Sequence, residues 1–228
     1  MPECELIKLG FTKGETVEVI VSTYNGRGEP NAAPMGVTLE EGRLVIRPYL
    51  TSHTYLNLVV KGCGVVNLTS DPELFYRTAV KGRSEMEAVP CEWFIAAESV
   101  DAPRLKGAEA YLEFQVVGQS KISVERAQFI CVASRLEVKK VYPKPYSRAT
   151  FALIESIIYA TKVREYLSSG RVKEVEPLLL LINHYKDLIG RVAPASRYAL
   201  LMADLVSKVE SWRAELCEST SRPPQGST

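Results

Sequence analysis

This 228-residue sequence lacks the motifs that mark several large classes of nucleotide-binding and metal-binding proteins. It contains no GxGxxG and no GxxxxGK[ST] sequence, so neither a Rossmann dinucleotide site nor a P-loop is indicated. Two histidines, His53 and His184, are too few for a histidine-rich metal centre or for an argument from a Ser-His-Asp arrangement. The five cysteines include no CxxC pair, which argues against a disulfide framework and against a zinc site of paired thiolates.

The chain also has little excess of charge of either sign and no long apolar run. Lys and Arg number 28 against 27 Asp and Glu, giving a net charge of +1, so nucleic acid is not an expected partner. The longest apolar stretch, Pro177–Ile182, is far too short to span a bilayer. The N-terminal residues are partly acidic and fit neither a signal nor a transit peptide. We therefore expect no membrane partner and a cytoplasmic location.

Period-two alternation of apolar and polar residues is present through the first two thirds of the chain and predicts strands. The run ETVEVIVSTY at 15–24 is the clearest case, and the turn that follows it at 25–30 is short. Such short connections indicate an antiparallel meander, and the strands are enough to close a small barrel. The predicted strands are 15–24, 31–39, 43–50, 63–69, 93–100, 108–117 and 128–142.

Helical signals are short in the barrel region and dominate after it. Segments 55–61 and 71–79 are predicted as short helices, the second with Asp71 as its cap and Pro72 at its first position. The C-terminal region has three-and-four apolar spacing, which predicts longer helices. They are 151–167, 172–190 and 195–216. We predict a barrel domain over 1–146, a helical region over 147–218 and a disordered tail over 219–228.

Two segments carry a resemblance to a known fold. The run NAAP at 31–34 resembles a strand that flavin reductase-like proteins place beside the flavin ring, and TSHTYLNL at 51–58 followed by GVVNL at 64–68 resembles their phosphate-side helix and next strand. The whole chain, including 147–164, looks like a mainly archaeal domain-of-unknown-function family within the FMN-binding split-barrel superfamily. The resemblance implies a mainly β fold with α, namely an FMN-binding split β-barrel followed by a C-terminal helical region.

Carried over residue by residue, the resemblance implies FMN contacts along the second strand, at the end of the third and at the following helix start. The oxidase branch of the superfamily has an Arg-Lys pair where this chain has His53 and Thr54, so pyridoxamine-phosphate oxidase activity is not indicated. The residues so assigned are Asn31, Ala32, Ala33, Pro34, Met35, Arg47, Pro48, His53, Thr54 and Asn67.

Elementary chemistry agrees with several of these assignments and leaves alternatives open. The start of a helix offers unpaired N–H groups and a favourable dipole to a phosphate, to which the hydroxyls of Ser52 and Thr54 would add and which Arg47 could neutralise. Equally, Thr51 or Ser52 would merely cap the helix, Arg47 would be a solvated charge and His53 an exposed loop residue. Asn67 is costly to bury unless a flavin edge or a nearby backbone group accepts and donates its hydrogen bonds.

The sequence therefore favours an FMN-binding homodimer that passes electrons between its flavin and a small molecule, either as an oxidoreductase or as a flavin reductase-like protein. No residue is singled out as a catalytic acid or base. One alternative is a non-catalytic dimeric split barrel that serves binding or assembly, and the missing Arg-Lys pair motivates it. A narrower alternative, suggested by the family's lineage, is a reductase acting on a pterin.

Overall fold

The computed structural model describes residues 3–80, 89–140 and 147–221. The chain forms two compact units, Met1–Pro143 and Lys144–Thr228. Residues 141–146, the last of the predicted barrel domain, and residues 222–228 of the predicted tail lie outside the described residues.

The first unit contains a closed antiparallel barrel. The barrel strands are β1 (Thr16–Tyr24), β2 (Pro30–Glu40), β3 (Arg43–Ile46), β4 (Cys63–Leu68), β7 (Ala110–Lys121) and β8 (Ala127–Val138). Their order around the barrel is β1-β2-β3-β8-β7-β4. Consecutive strands β1, β2 and β3 pair as the meander predicted from their short turns, and β4 closes the barrel by pairing with β1 as well as with β7.

The barrel core follows from the alternation seen in the sequence. Val19 and Val21 of β1 lie inside with Val37 of β2, and Phe114 and Phe129 fill the space from β7 and β8. These side chains have no exposed surface, so their burial is the main apolar contribution that holds the strands in register. The prediction of a small barrel built from antiparallel strands is therefore confirmed.

A short hairpin, β5 (Phe94–Ala96) and β6 (Pro103–Leu105), forms a separate two-stranded sheet. It lies on the outer face of the barrel, where Ser22 Oγ donates to the Pro103 carbonyl at 2.5 Å and the Tyr111 hydroxyl donates to the Leu105 carbonyl at 2.9 Å. The sequence predicted one long strand over 93–100 and no strand at 103–105. Both strands are too short for a periodic signal, and long-range contacts decide them.

Three α-helices of the described residues accompany the barrel. They are α1 (Glu3–Lys8), α2 (His53–Lys61) and α3 (Pro72–Ala79). Both predicted caps are present, because Ser52 Oγ accepts from the Tyr55 N–H and Asp71 accepts from the Glu73 N–H. Helix α1 was not predicted, since six residues are too few to form a stable helix from propensity alone, and burial of Leu6 holds it.

The third strand is shorter than predicted. It ends at Ile46 instead of residue 50, because Pro48 has no N–H to donate to a neighbouring strand and the chain turns there toward α2. Beyond the strand, Tyr49 forms only an isolated antiparallel bridge with Arg126. This break places residues 47–52 in a loop at the end of the barrel.

The second unit consists of α4 (Arg148–Ser168), a 3-10 turn (Val172–Glu174), α5 (Val175–Val192) and α6 (Arg197–Ser221). Helix α4 ends at a Ser-Ser-Gly run, with Gly170 at φ 73° and the Arg171 N–H donating to the Tyr166 carbonyl. Tyr159 of α4 stacks on Tyr185 of α5 at 6.2 Å between ring centroids. The helical region is thus a small packed unit.

Candidate functional site

The loop and helix that follow β3 lie next to the beginning of β2. Asn31 Nδ2 of β2 lies 3.4 Å from Thr54 Oγ1, to which it donates, and Asn57 Nδ2 donates to Thr23 Oγ1 at 2.9 Å. Thr23 pairs with Asn31 across β1 and β2. Four polar side chains from three elements therefore meet at one end of the barrel, as the sequence assignments of Asn31 and Thr54 require.

The first turn of α2 presents backbone donors that the protein does not use. Ser52 accepts from Tyr55 N–H, and the first helical hydrogen bond runs from the Leu56 N–H to the Ser52 carbonyl. Among the residues that the structure describes, the N–H groups of His53 and Thr54 have no acceptor. His53 is exposed while Thr54 is buried. Two free N–H groups at the positive end of a helix dipole suit an anion such as a phosphate.

Arg47 lies close in sequence but its guanidinium is occupied by the barrel wall. Nε donates to Gln128 Oε1 at 2.9 Å, Nη1 to Thr38 Oγ1 at 3.0 Å and Nη2 to Glu40 Oε1 at 2.6 Å. The hydrogen bond from Arg47 lowers the pKa of Glu40, with a further contribution from Thr38. A phosphate that recruited this guanidinium would have to displace Glu40 from it.

The remaining assignments on β2 and after β3 divide into accessible and buried positions. Ala32 has no exposed surface and Met35 packs against the barrel core, whereas Ala33 and Pro34 are partly exposed. Pro48 is buried, and its carbonyl accepts from the Ala127 N–H at 3.2 Å. Contact with a flat ring along this strand would therefore involve the backbone and the small side chains of residues 33 and 34.

Asn67 is the assigned residue that the structure explains without a ligand. Nδ2 donates to the carbonyls of Ile20 and Val65 and to Ser22 Oγ at 2.8 to 3.2 Å, while Oδ1 accepts from the Leu105 N–H at 2.8 Å. The side chain is fully buried. The sequence left open whether a flavin edge or nearby protein groups form the hydrogen bonds of Asn67. In the structure, protein groups form them, and the bond to the Leu105 N–H holds β6 against the barrel.

A second polar cluster, which the sequence did not indicate, lies beneath the β5–β6 hairpin. Glu113, with no exposed surface, accepts from the guanidinium of Arg104, from Ser99 Oγ and from the N–H groups of Glu98 and Ser99. Burial opposes ionisation, but these hydrogen bonds outweigh it and lower the pKa of Glu113. Because these donors all have an acceptor, the cluster is a structural anchor. The groups that bind Glu113 lie 9 to 15 residues from it in sequence, so they form no local motif.

The outward face of α2 is apolar. Leu56, Val59 and Val60 are between 50% and 64% exposed in the isolated chain. This face borders the unused N–H groups of the same helix, so a partner placed on it would lie beside the candidate anion site.

Neither a metal-binding cluster nor a membrane-spanning helix is found among the described residues. Within residues 3–80, 89–140 and 147–221, no group of three His, Cys, Asp or Glu side chains is placed to hold a metal ion. Among the same residues, no helix has the length and apolar character needed to cross a membrane.

Comparison with known proteins gives a consistent set of relatives. Residues 17–140 match the model of a family described as the N-terminal domain of a protein of unknown function, DUF447. An uncharacterised protein of Methanocaldococcus jannaschii is 26% identical over 183 residues, which cover 77% of this chain and 88% of that protein. The crystal structure of an FMN-bound DUF447 protein of Methanosarcina mazei superimposes with a TM-score of 0.71 at 26% identity, over 90% of this chain and 99% of that one.

Proposed function

This chain belongs to the DUF447 family, and from that premise we propose that it is a homodimeric FMN-binding protein that acts as a flavin-dependent oxidoreductase on a small molecule. The observation that carries the proposal is the likeness to the FMN-bound protein of Methanosarcina mazei, which extends over 90% of this chain. When bound, FMN supplies reversible electron transfer, and the protein's task is to bind and orient it.

The groups at the start of α2 fit the phosphate of FMN. The free N–H groups of His53 and Thr54 would donate to phosphate oxygens, and the exposed His53 imidazole would add a further donor. Asn31, held against Thr54, connects this end of the helix to β2. Along β2, the partly exposed Ala33 and Pro34 leave room for a flat ring system to approach the backbone.

A homodimer is part of the same proposal, as is the cytoplasmic location expected from the sequence. The apolar face of Leu56, Val59 and Val60 is our candidate for the subunit contact, because burying it removes apolar surface from water and brings a second subunit next to the flavin phosphate. We expect Val60→Glu to convert the dimer to a monomer and to weaken FMN binding. Light scattering after size exclusion measures this, with Leu200→Glu on exposed α6 as the matched control.

The first experiment is FMN binding itself. The purified wild-type protein is expected to show flavin absorption bands, or to acquire them with FMN, and to quench FMN fluorescence on titration. Thr54→Val removes the hydroxyl that accepts from Asn31 and should weaken FMN binding, while Thr161→Val, the same change at an exposed helical threonine, should not. Absence of both bands and quenching in the wild type would contradict the proposal.

One observation favours a second candidate, a non-catalytic split barrel that serves dimeric binding or assembly. Each guanidinium nitrogen of Arg47 donates to Thr38, Glu40 or Gln128, so among the described residues the candidate phosphate site has backbone donors and no arginine or lysine committed to it. This candidate predicts a stable dimer that remains colourless with FMN. Reduction of the bound flavin by a chemical donor and its reoxidation by oxygen or a quinone would instead favour the oxidoreductase.

A further inference from the structure

Arg126 contacts the loop that leads from β3 to α2. It lies at the end of the turn between β7 and β8. Its Nη1 donates to the Arg47 carbonyl at 2.8 Å, and its guanidinium carbon lies 3.7 Å from the centre of the Tyr49 ring. Backbone hydrogen bonds flank this contact, from the Leu50 N–H to the Glu125 carbonyl at 2.8 Å and from the Ala127 N–H to the Pro48 carbonyl at 3.2 Å. We call these contacts of Arg126 with Arg47 and Tyr49 the Arg126 clamp.

The turn that presents Arg126 is itself fixed. The Arg126 N–H donates to Ser123 Oγ at 3.0 Å, and the Arg126 carbonyl accepts from the N–H groups of Ile122 and Ser123. The side chain is partly buried between the turn and the loop. A cation held this closely over an aromatic ring and also bonded to a carbonyl restricts both groups, so the clamp fixes the position of Tyr49.

Tyr49 in turn supports the start of α2. Its carbonyl accepts from the Ser52 N–H at 3.0 Å and from Ser52 Oγ at 2.7 Å, and the same Ser52 Oγ accepts from the Tyr55 N–H. The orientation of the first turn, with its free N–H groups at His53 and Thr54, therefore depends on where the Tyr49 carbonyl lies. An unbroken series of contacts runs from Arg126 to the candidate phosphate site.

We infer that Arg126 is a positioning residue for phosphate recognition: it does not contact the cofactor but holds the α2 N-terminus in the orientation that binds the FMN phosphate. The inference rests on the proposed FMN binding. A change in the orientation of the α2 N-terminus would weaken the interaction with the phosphate alone. Ordinary structural support by Arg126 would not produce this specific effect. A variant that merely loosens the barrel would weaken binding of every flavin equally.

The test compares FMN with riboflavin, which has the same ring and lacks the phosphate. Dissociation constants for both are measured by fluorescence quenching on wild type, Arg126→Met, Arg126→Lys and, as the matched control, Arg135→Met, which removes an exposed arginine from β8. We expect the preference for FMN over riboflavin to fall about tenfold in Arg126→Met, the range of a helix-terminus interaction with an anion. Arg126→Lys keeps a cation near the Tyr49 ring but loses the planar guanidinium, so it should recover the preference only in part, to within about threefold of wild type.

The outcomes separate this inference from the proposed function. Failure of the wild type to bind either flavin overturns the proposed function and the inference with it. Binding of both flavins by the wild type with an unchanged preference in Arg126→Met overturns the inference alone, as does an equal loss in Arg135→Met. If Arg126→Met does not fold, as judged by circular dichroism, Tyr49→Leu removes the other half of the clamp, and an unchanged preference there overturns the inference equally.

Discussion

Replacing Arg104 by methionine tests the buried ion pair beneath the β5–β6 hairpin. The Arg104 side chain is 4% exposed and Glu113 is 0% exposed, so the substitution leaves a carboxylate in the interior with hydrogen bonds but without its nearest positive charge. Removing one partner of a buried pair costs about 3 to 5 kcal/mol of folding free energy. We expect a loss in this range for Arg104→Met in equilibrium urea unfolding.

Glu113→Gln should cost less, about 2 to 3 kcal/mol, because Arg104 keeps a second carboxylate. Arg104 Nη1 donates to Glu137 Oε2 at 2.8 Å, and Glu137 is partly exposed. The double variant should be more stable than the sum of the two losses predicts, by about 1 to 3 kcal/mol, since the two groups share one interaction. Strict additivity, or a loss below about 1 kcal/mol for Arg104→Met, would refute this account of the cluster.

The same pair predicts how stability depends on acidity. The pKa of Glu113 lies below its ordinary value of 4.5, because the hydrogen bonds it accepts outweigh the effect of burial. A carboxyl whose pKa is lowered by folding stabilises the native state above the unfolded pKa, and this stabilisation is lost as the pH falls through the folded value. Between pH 7 and 5 the contribution should stay constant, decreasing only below about 4.5. In Glu113→Gln, the free energy of unfolding should decrease less as the pH falls, because this variant lacks the Glu113 carboxyl and its contribution.

Three further predictions concern other buried positions. Gly64→Ala would place a Cβ 2.6 Å from Phe114 Cζ and should lower the unfolding free energy by about 1 to 3 kcal/mol in urea titrations; an unchanged midpoint would contradict the packing. Asn67→Asp replaces three donated hydrogen bonds with a buried charge and should lower the free energy of unfolding by about 3 to 5 kcal/mol. If Asn67 instead faced a ligand, the variant would keep near-normal stability and lose FMN binding. Burial raises the pKa of Cys131 to about 12, so iodoacetamide at pH 8 should spare it until the protein unfolds and should modify the exposed Cys4 and Cys91 before it, as peptide mass spectrometry would show.

The contrast between Ser52 and Asn67 shows how much of the candidate site could be predicted. The Ser52 cap involves groups within three residues, so a local pattern was enough to find it. Asn67 binds groups 45 and 47 residues away on β1, and its alternatives could not be decided until the strands were placed side by side. Family resemblance assigned both segments to the candidate site and left the partner of each side chain open.

Arg47 and Arg126 show the same limit for charged residues. Arg47 bonds to Gln128, 81 residues away, and Arg126 to the Arg47 carbonyl, 79 residues away. Nothing in either local sequence distinguishes an arginine that binds a ligand from one that fastens two strands. Closure of the barrel between β3 and β8 determines which groups each guanidinium meets.

The sequence by itself determined the properties that depend on neighbours along the chain: the alternating strands, their short antiparallel connections, the capped starts of α2 and α3, and the helical character of the C-terminal unit. Only the tertiary structure decided the β5–β6 hairpin, the buried Arg104–Glu113 pair and the contact of Arg126 with the loop before α2. These features depend on residues that are distant in sequence, and packing of the barrel brings them together.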